Sequence, residues 1–188
     1  MRAITLLFFL FLFQIPEGHA QVEETIEPEH IRTIQFKGTS AQSRLPIIEL
    51  GQKLQLSFDD IIGNEADYFY TIAHFNFDWT PSDLSKGEYL DGFDDVRIET
   101  YENSFNTLQL YSNYKLSIPN RETRAIKKSG NYLLRIFNDD GEIVFSRKFM
   151  VLERVLSVEV EIKRSRIIKN IDQQQVVQFK INSPNLLL

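Results

Sequence analysis

The sequence has no cysteine, one tryptophan, two methionines and three histidines in 188 residues. Each scarcity removes a class of explanation. Without cysteine there is no disulfide framework, no thiolate nucleophile and no thiolate metal ligand, so a packed core must hold the fold. After residue 20 only His30 and His74 remain, which leaves a zinc site short of its usual donors. No G-x-S-x-G elbow, H-E-x-x-H pair or phosphate-binding glycine loop occurs. The net charge of −5 has the wrong sign for nucleic acid or an anionic membrane surface as the partner of the chain as a whole. Beyond residue 20 no apolar stretch has the length of a transmembrane helix.

What is present begins with Arg2 and the apolar run ITLLFFLFLF from Ile4 to Phe13, followed by Pro16, Gly18 and Ala20. This reads as a cleavable signal peptide over residues 1–20, with the cut before Gln21. The run is too short to span a bilayer, and no cysteine follows it to carry a lipid anchor. Export combined with the lack of cysteine points to a bacterial periplasm. Residues 21–29 hold four acids and Pro28 and read as a flexible lead-in.

Strand signals then follow one another. KLQLSFD alternates, with Leu54, Leu56 and Phe58 on one face and Lys53, Gln55, Ser57 and Asp59 on the other. Residues 31–36 and 47–50 read as shorter strands, and 66–79, apolar on both faces, as a central one. Residues 106–118 place Leu108, Leu110, Tyr114, Leu116 and Ile118 in one parity. Residues 131–151 read as a hairpin turning at Asn138-Asp139-Asp140-Gly141. Its arms direct Tyr132, Leu134 and Ile136, and Ile143, Phe145 and Phe149, toward the core. About seven short strands with no helical period predict an all-β immunoglobulin/fibronectin-like antiparallel β-sandwich over residues 30–153. Leu156, Val158, Val160 and Ile162 then share one face of a further strand, and 175–181 forms another. Two strands do not bury a face alone, so 154–188 reads as the start of a second, incomplete β domain.

One stretch resists placement. HFNFDWTPSDLSKGEYLDGFDD (74–95) carries the lone tryptophan and six acids, and opens a connection longer than compact domains usually contain. Asp78, Asp83, Glu88, Asp91, Asp94 and Asp95 lack the spacing of a calcium loop, and no acid is marked for a raised pKa. His74 falls within a strand, where a hydrogen-bonded side chain at a sheet face is the plainer reading. The aromatic residues are the unusual content. Trp79 at the strand end reads as structural, whereas Tyr89 and Phe93 either pin the loop to the sandwich or anchor a partner. Trp79, Tyr89 and Phe93 are therefore the candidate partner-binding residues. The residues mark no catalytic, cofactor or metal site.

D-W-T-P-S at 78–82, E-Y-L-D-G-F at 88–93 and S-G-N-Y-L-L at 129–134 together resemble the N-terminal domain of the type IX secretion system plug protein family, with likeness from about Ile31 to Phe179. The resemblance implies a periplasmic β-sandwich that closes the periplasmic side of the outer-membrane translocon barrel by protein–protein binding. It implies neither catalysis nor a cofactor, a small-molecule substrate or membrane insertion of its own. Family members continue well past this length. A carbohydrate- or peptide-binding β-sandwich module is the competing reading and would use the same three aromatics. A hydrolase accessory domain is a third.

Overall fold

The computed structural model describes residues 21–39 and 45–182. Residues 1–20, read above as a signal peptide, and the leucines at 186–188 lie outside them. The chain is an all-β sandwich. One sheet contains, in spatial order, β1 (Ile31–Gly38), β3 (Leu54–Asp60), β8 (Ser112–Ile118) and β7 (Tyr101–Asn103). The facing sheet contains β2 (Ile47–Glu49), β11 (Ile143–Leu152), β10 (Gly130–Phe137), β4 (Phe69–Phe75) and β6 (Val96–Arg97). All pairs are antiparallel except β2 with β11, which is parallel. A small ribbon of β5 (Leu90–Gly92) and β9 (Thr123–Ile126) lies beside them.

The alternating pattern in the sequence becomes the core. Leu54, Leu56 and Phe58 of β3 meet Tyr132, Leu134, Ile136 and Phe145 of the other sheet, and all seven are buried. Phe58 stacks on its register partner Tyr114 at 5.2 Å and meets Phe145 edge-on, also at 5.2 Å, which ties the two sheets together. Burial of each such ring is worth about 1.5–3 kcal/mol. The turn at 138–141 forms as its residues dictate. Gly141 takes φ 78°, and the Asn138 side chain accepts the Glu142 N–H at 2.8 Å.

Three expectations are corrected. Ile143 does not face inward. A bulge places Phe137 opposite Ile143 but Ile136 opposite Phe145, so the extra residue reverses the parity and leaves Ile143 exposed. Leu108 and Leu110 are not strand residues. The last β7–β8 pair is Asn103 with Ser112, so 104–111 is the loop of that hairpin. Its neck is closed by Ser104 and Tyr111, and Asn106 adopts φ 58°. Finally, residues 22–27 are not a loose lead-in but are laid along the part of β11 that β2 does not reach. Thr25 and Ser146 exchange hydrogen bonds, and Lys148 N–H donates to Glu24 at 2.5 Å. Arg147 meets the Glu27 carboxylate at 2.6 Å. That hydrogen bond from Arg147 holds the Glu27 carboxyl below its ordinary value. Two of the four acids that suggest disorder by composition, Glu24 and Glu27, help to attach the segment.

Beyond the sandwich, β12 (Ser157–Arg164) and β13 (Gln175–Asn182) pair antiparallel in unbroken register. Val158, Val160 and Ile162 stand opposite Ile181, Phe179 and Val177, and these six side chains are exposed.

Candidate partner-binding surface

The connection after β4 is built around Ile72. β6 covers only the first part of β4, pairing Phe69 with Arg97 and Tyr70 with Val96. Two residues further along, the edge N–H and C=O of Ile72 face no strand. Asp94 Oδ2 accepts the N–H at 2.7 Å, and the Tyr89 hydroxyl donates to the C=O at 3.2 Å. Lys86 pairs with both Asp94 oxygens, at 2.6 and 2.8 Å, and balances a carboxylate only 3% exposed. The connection therefore completes the sheet edge with side chains where backbone is missing.

The local sequence explains how those side chains arrive. Ser85 opens a single helical turn, α1 (Lys86–Tyr89), and both its N–H (2.8 Å) and its hydroxyl (2.7 Å) donate to Glu88. These bonds hold the Glu88 carboxyl below its ordinary value. The turn drives Tyr89 inward, where it is 6% exposed, stacked on His74 at 5.6 Å and set against Tyr132 at 6.0 Å. Burial raises the pKa of its hydroxyl. Gly92 then takes φ 100°, and a Cβ there would sit 2.0 Å from the Glu122 carbonyl, so the position admits only glycine.

Phe93 follows, fixed at both ends of its peptide. Its N–H donates to Glu122 O at 2.9 Å, and its C=O accepts the Thr123 hydroxyl at 2.5 Å. Its ring is nevertheless 71% exposed. A large apolar side chain thus stands in solvent on an anchored backbone.

The structure separates the three candidate aromatics. Tyr89 is a core residue and its ring is not offered to the surface; Phe93 is. Trp79, at φ 64°, is half-buried on the outer face of the β4 sheet, 6.3 Å from Phe75 and with the Lys148 ammonium 4.5 Å above its ring. Its C=O accepts the Val22 N–H at 3.2 Å, so Trp79 also fastens the N-terminal segment. Several acids of the stretch have structural partners of their own. Asp78 accepts the Thr80 N–H and hydroxyl at 3.1 and 2.7 Å, and Asp91 pairs with Arg124 at 2.7 Å. His74 lies between Tyr89 and Tyr132 with Nε2 3.4 Å from Ser129 O. It occupies the space that a side chain at Gly130 would take. Among the described residues no group of three or more His, Asp or Glu side chains is placed to hold a metal, and no helix is long and apolar enough to cross a membrane.

Sequence reasoning missed a second exposed apolar element. The 104–111 loop presents Phe105, 92% exposed, together with Leu108 and Leu110. It is braced against the β3–β4 connection by the Gln109 side chain, which donates to Ile61 O at 2.8 Å. The only available signal was the cluster Asn103-Ser104-Phe105-Asn106, turn formers around an aromatic.

A family model described as "Type 9 secretion system plug protein 1st domain" matches residues 31–153. A hypothetical protein from Parabacteroides merdae ATCC 43184, known from a crystal structure, is 32% identical with a TM-score of 0.71. The alignment covers 88% of this chain and 43% of that one, so this chain spans less than half of that relative's length. The comparison with curated proteins gives no match. The matched family is a secretion-system plug domain and not a known enzyme family. The chain belongs to the type 9 secretion system plug protein family, whose first domain is the sandwich of residues 31–153.

Proposed function

We propose that this protein acts in the periplasm as the plug of the type IX secretion system, closing the periplasmic side of the outer-membrane translocon barrel by protein–protein binding. In this reading residues 1–20 direct export and are removed. Residues 154–188 start a second β domain, in which the open face of β12 and β13 is covered by further strands. The association with the outer membrane through the barrel belongs to the same proposal.

The observation that carries the reading is Phe93. A stopper must be rigid and must attach reversibly, and a few aromatic anchors in a polar rim give such attachment. Phe93 meets that need, because its peptide is held at N–H and C=O while its ring stays free. Arg124 and Asp91 supply polar groups close to it in the chain and in the β5–β9 ribbon. The carbohydrate-binding alternative would use the same three aromatics, and it is less favoured because Tyr89 is buried and Lys148 lies over the Trp79 ring, which leaves Phe93 alone in the open.

Co-purification with the translocon barrel tests the reading. Phe93→Ala should keep the melting temperature and weaken recovery with the barrel. Undiminished recovery of that variant would take Phe93 out of the contact, and a wild-type protein that does not co-purify would overturn the reading itself.

A further inference from the structure

The β12–β13 hairpin ends in a tip of unusual chemistry. Ile167 and Ile168 project into solvent there, with Ile168 88% exposed on the short 3-10 turn Ile168–Asn170. Arg164, Arg166 and Lys169 flank them in the chain, and Asp172 is the single acid between Arg164 and Gln175. Among the described residues none of these three cations has an acidic partner, whereas neighbouring Lys163 is paired with Glu161 at 2.7 Å. The tip is also held in shape. Ser165 is buried, its hydroxyl accepts the Ile167 N–H at 3.2 Å, and its N–H donates to Gln174 O at 3.2 Å. Asn170 and Gln174 bond to each other through side chains at 3.0 Å and backbone at 2.9 Å.

We propose that this tip docks on an anionic phospholipid surface, with Ile167 and Ile168 entering the headgroup layer and Arg164, Arg166 and Lys169 meeting lipid phosphates. Two adjacent exposed isoleucines gain by leaving water, and cations beside them gain from a negative surface. The net charge of the chain does not oppose this. Charges more than about 8–10 Å away are largely screened at ordinary ionic strength, so the surface meets the tip and not the total. The hairpin itself stays outside the hydrocarbon, because the outer edges of a two-stranded ribbon carry unpaired N–H and C=O groups. The contact is therefore interfacial, and it stands or falls independently of the barrel.

Vesicle co-sedimentation of the protein beginning at Gln21, which contains every described strand, tests this. Vesicles of phosphatidylcholine alone should leave the protein in solution, and vesicles containing phosphatidylglycerol should bind it, less so as salt is raised. Reversing Arg164, Arg166 and Lys169 together to Glu should weaken binding on the order of 100-fold or more, at about fivefold per charge. Ile167→Ser with Ile168→Ser should weaken it about tenfold or more and keep the preference for phosphatidylglycerol. Hydrogen exchange across the β12–β13 ladder shows that each variant keeps the hairpin. Equal binding to both vesicle types, absence of binding, or full binding by the charge-reversed protein overturns the proposal. Salt-sensitive self-association that the charge reversal abolishes, without vesicle binding, assigns the tip to an acidic protein surface instead and also overturns it.

Discussion

The carboxylate of Asp94 accepts the backbone N–H of Ile72 at 2.7 Å, in the place where the carbonyl of a neighbouring strand would sit. With Lys86 on its other side it stands in for the missing part of β6. Asp94→Ala removes the acceptor from a buried N–H and should cost about 1–3 kcal/mol in denaturant unfolding. Lys86→Ala leaves that carboxylate, only 3% exposed, without its counter-charge and should destabilise the protein as well. Exchange of the Ile72 amide should speed up in the Asp94 variant before the rest of β4 is affected.

Tyr89 is the other half of that arrangement. Truncation to Ala should destabilise the protein by about 3–5 kcal/mol, as buried aromatic truncations do. Tyr89→Phe keeps the ring against His74 and Tyr132 and loses only the bond to Ile72 O, so it should cost about 0.5–1.5 kcal/mol. Equal losses in the two variants would contradict a packing role for the ring.

Stability should fall at both ends of the pH scale, for different reasons. Burial raises the hydroxyl pKa values of Tyr68, Tyr114 and Tyr132 above the ordinary 10, that of Tyr114 to about 12. For Tyr68 a hydrogen bond to Asp60 adds to burial. A raised acid pKa favours the neutral folded form, so this stability is fully present below pH 10 and is lost as pH rises through the folded values. Tyrosinate absorbance and unfolding should appear together above pH 10. Independent titration of these hydroxyls in the folded protein would contradict this.

The N-terminal segment should respond at the acid end. Glu27 is lowered from 4.5 by its hydrogen bond with Arg147, so its contribution is present above pH 4.5 and disappears as pH falls through the lower folded value. Amide exchange over residues 22–27 should rise in that window while the β10–β11 hairpin stays protected. Glu27→Gln should show fast exchange there already at neutral pH.

The sequence carried the core well and the surface poorly, and the reason is the range of the signals. Alternation within β3 and within the β10–β11 hairpin is local, so Leu54, Leu56, Phe58 and Tyr132 were legible without partners. The same rule failed at Leu108 and Leu110, which alternate like a strand but lie past the last ladder pair, Asn103 with Ser112. It failed at Ile143 because a single bulge reverses parity. Composition failed for residues 22–27 because Arg147 and Lys148, which hold Glu27 and Glu24, are distant in sequence. Tyr89 and Phe93 are four residues apart in the same polar stretch, and nothing local separates them. The α1 turn and the glycine at 92 send one ring inward and leave the other outside.

The proposed closure of the translocon barrel is most directly measured as conductance. The translocon barrel, reconstituted in a planar bilayer without cargo, should pass a large current. The full-length plug, added to the periplasmic side, should reduce that current, and Phe93→Ala should reduce it less at the same concentration. A current unchanged by protein that demonstrably binds the barrel would contradict the account.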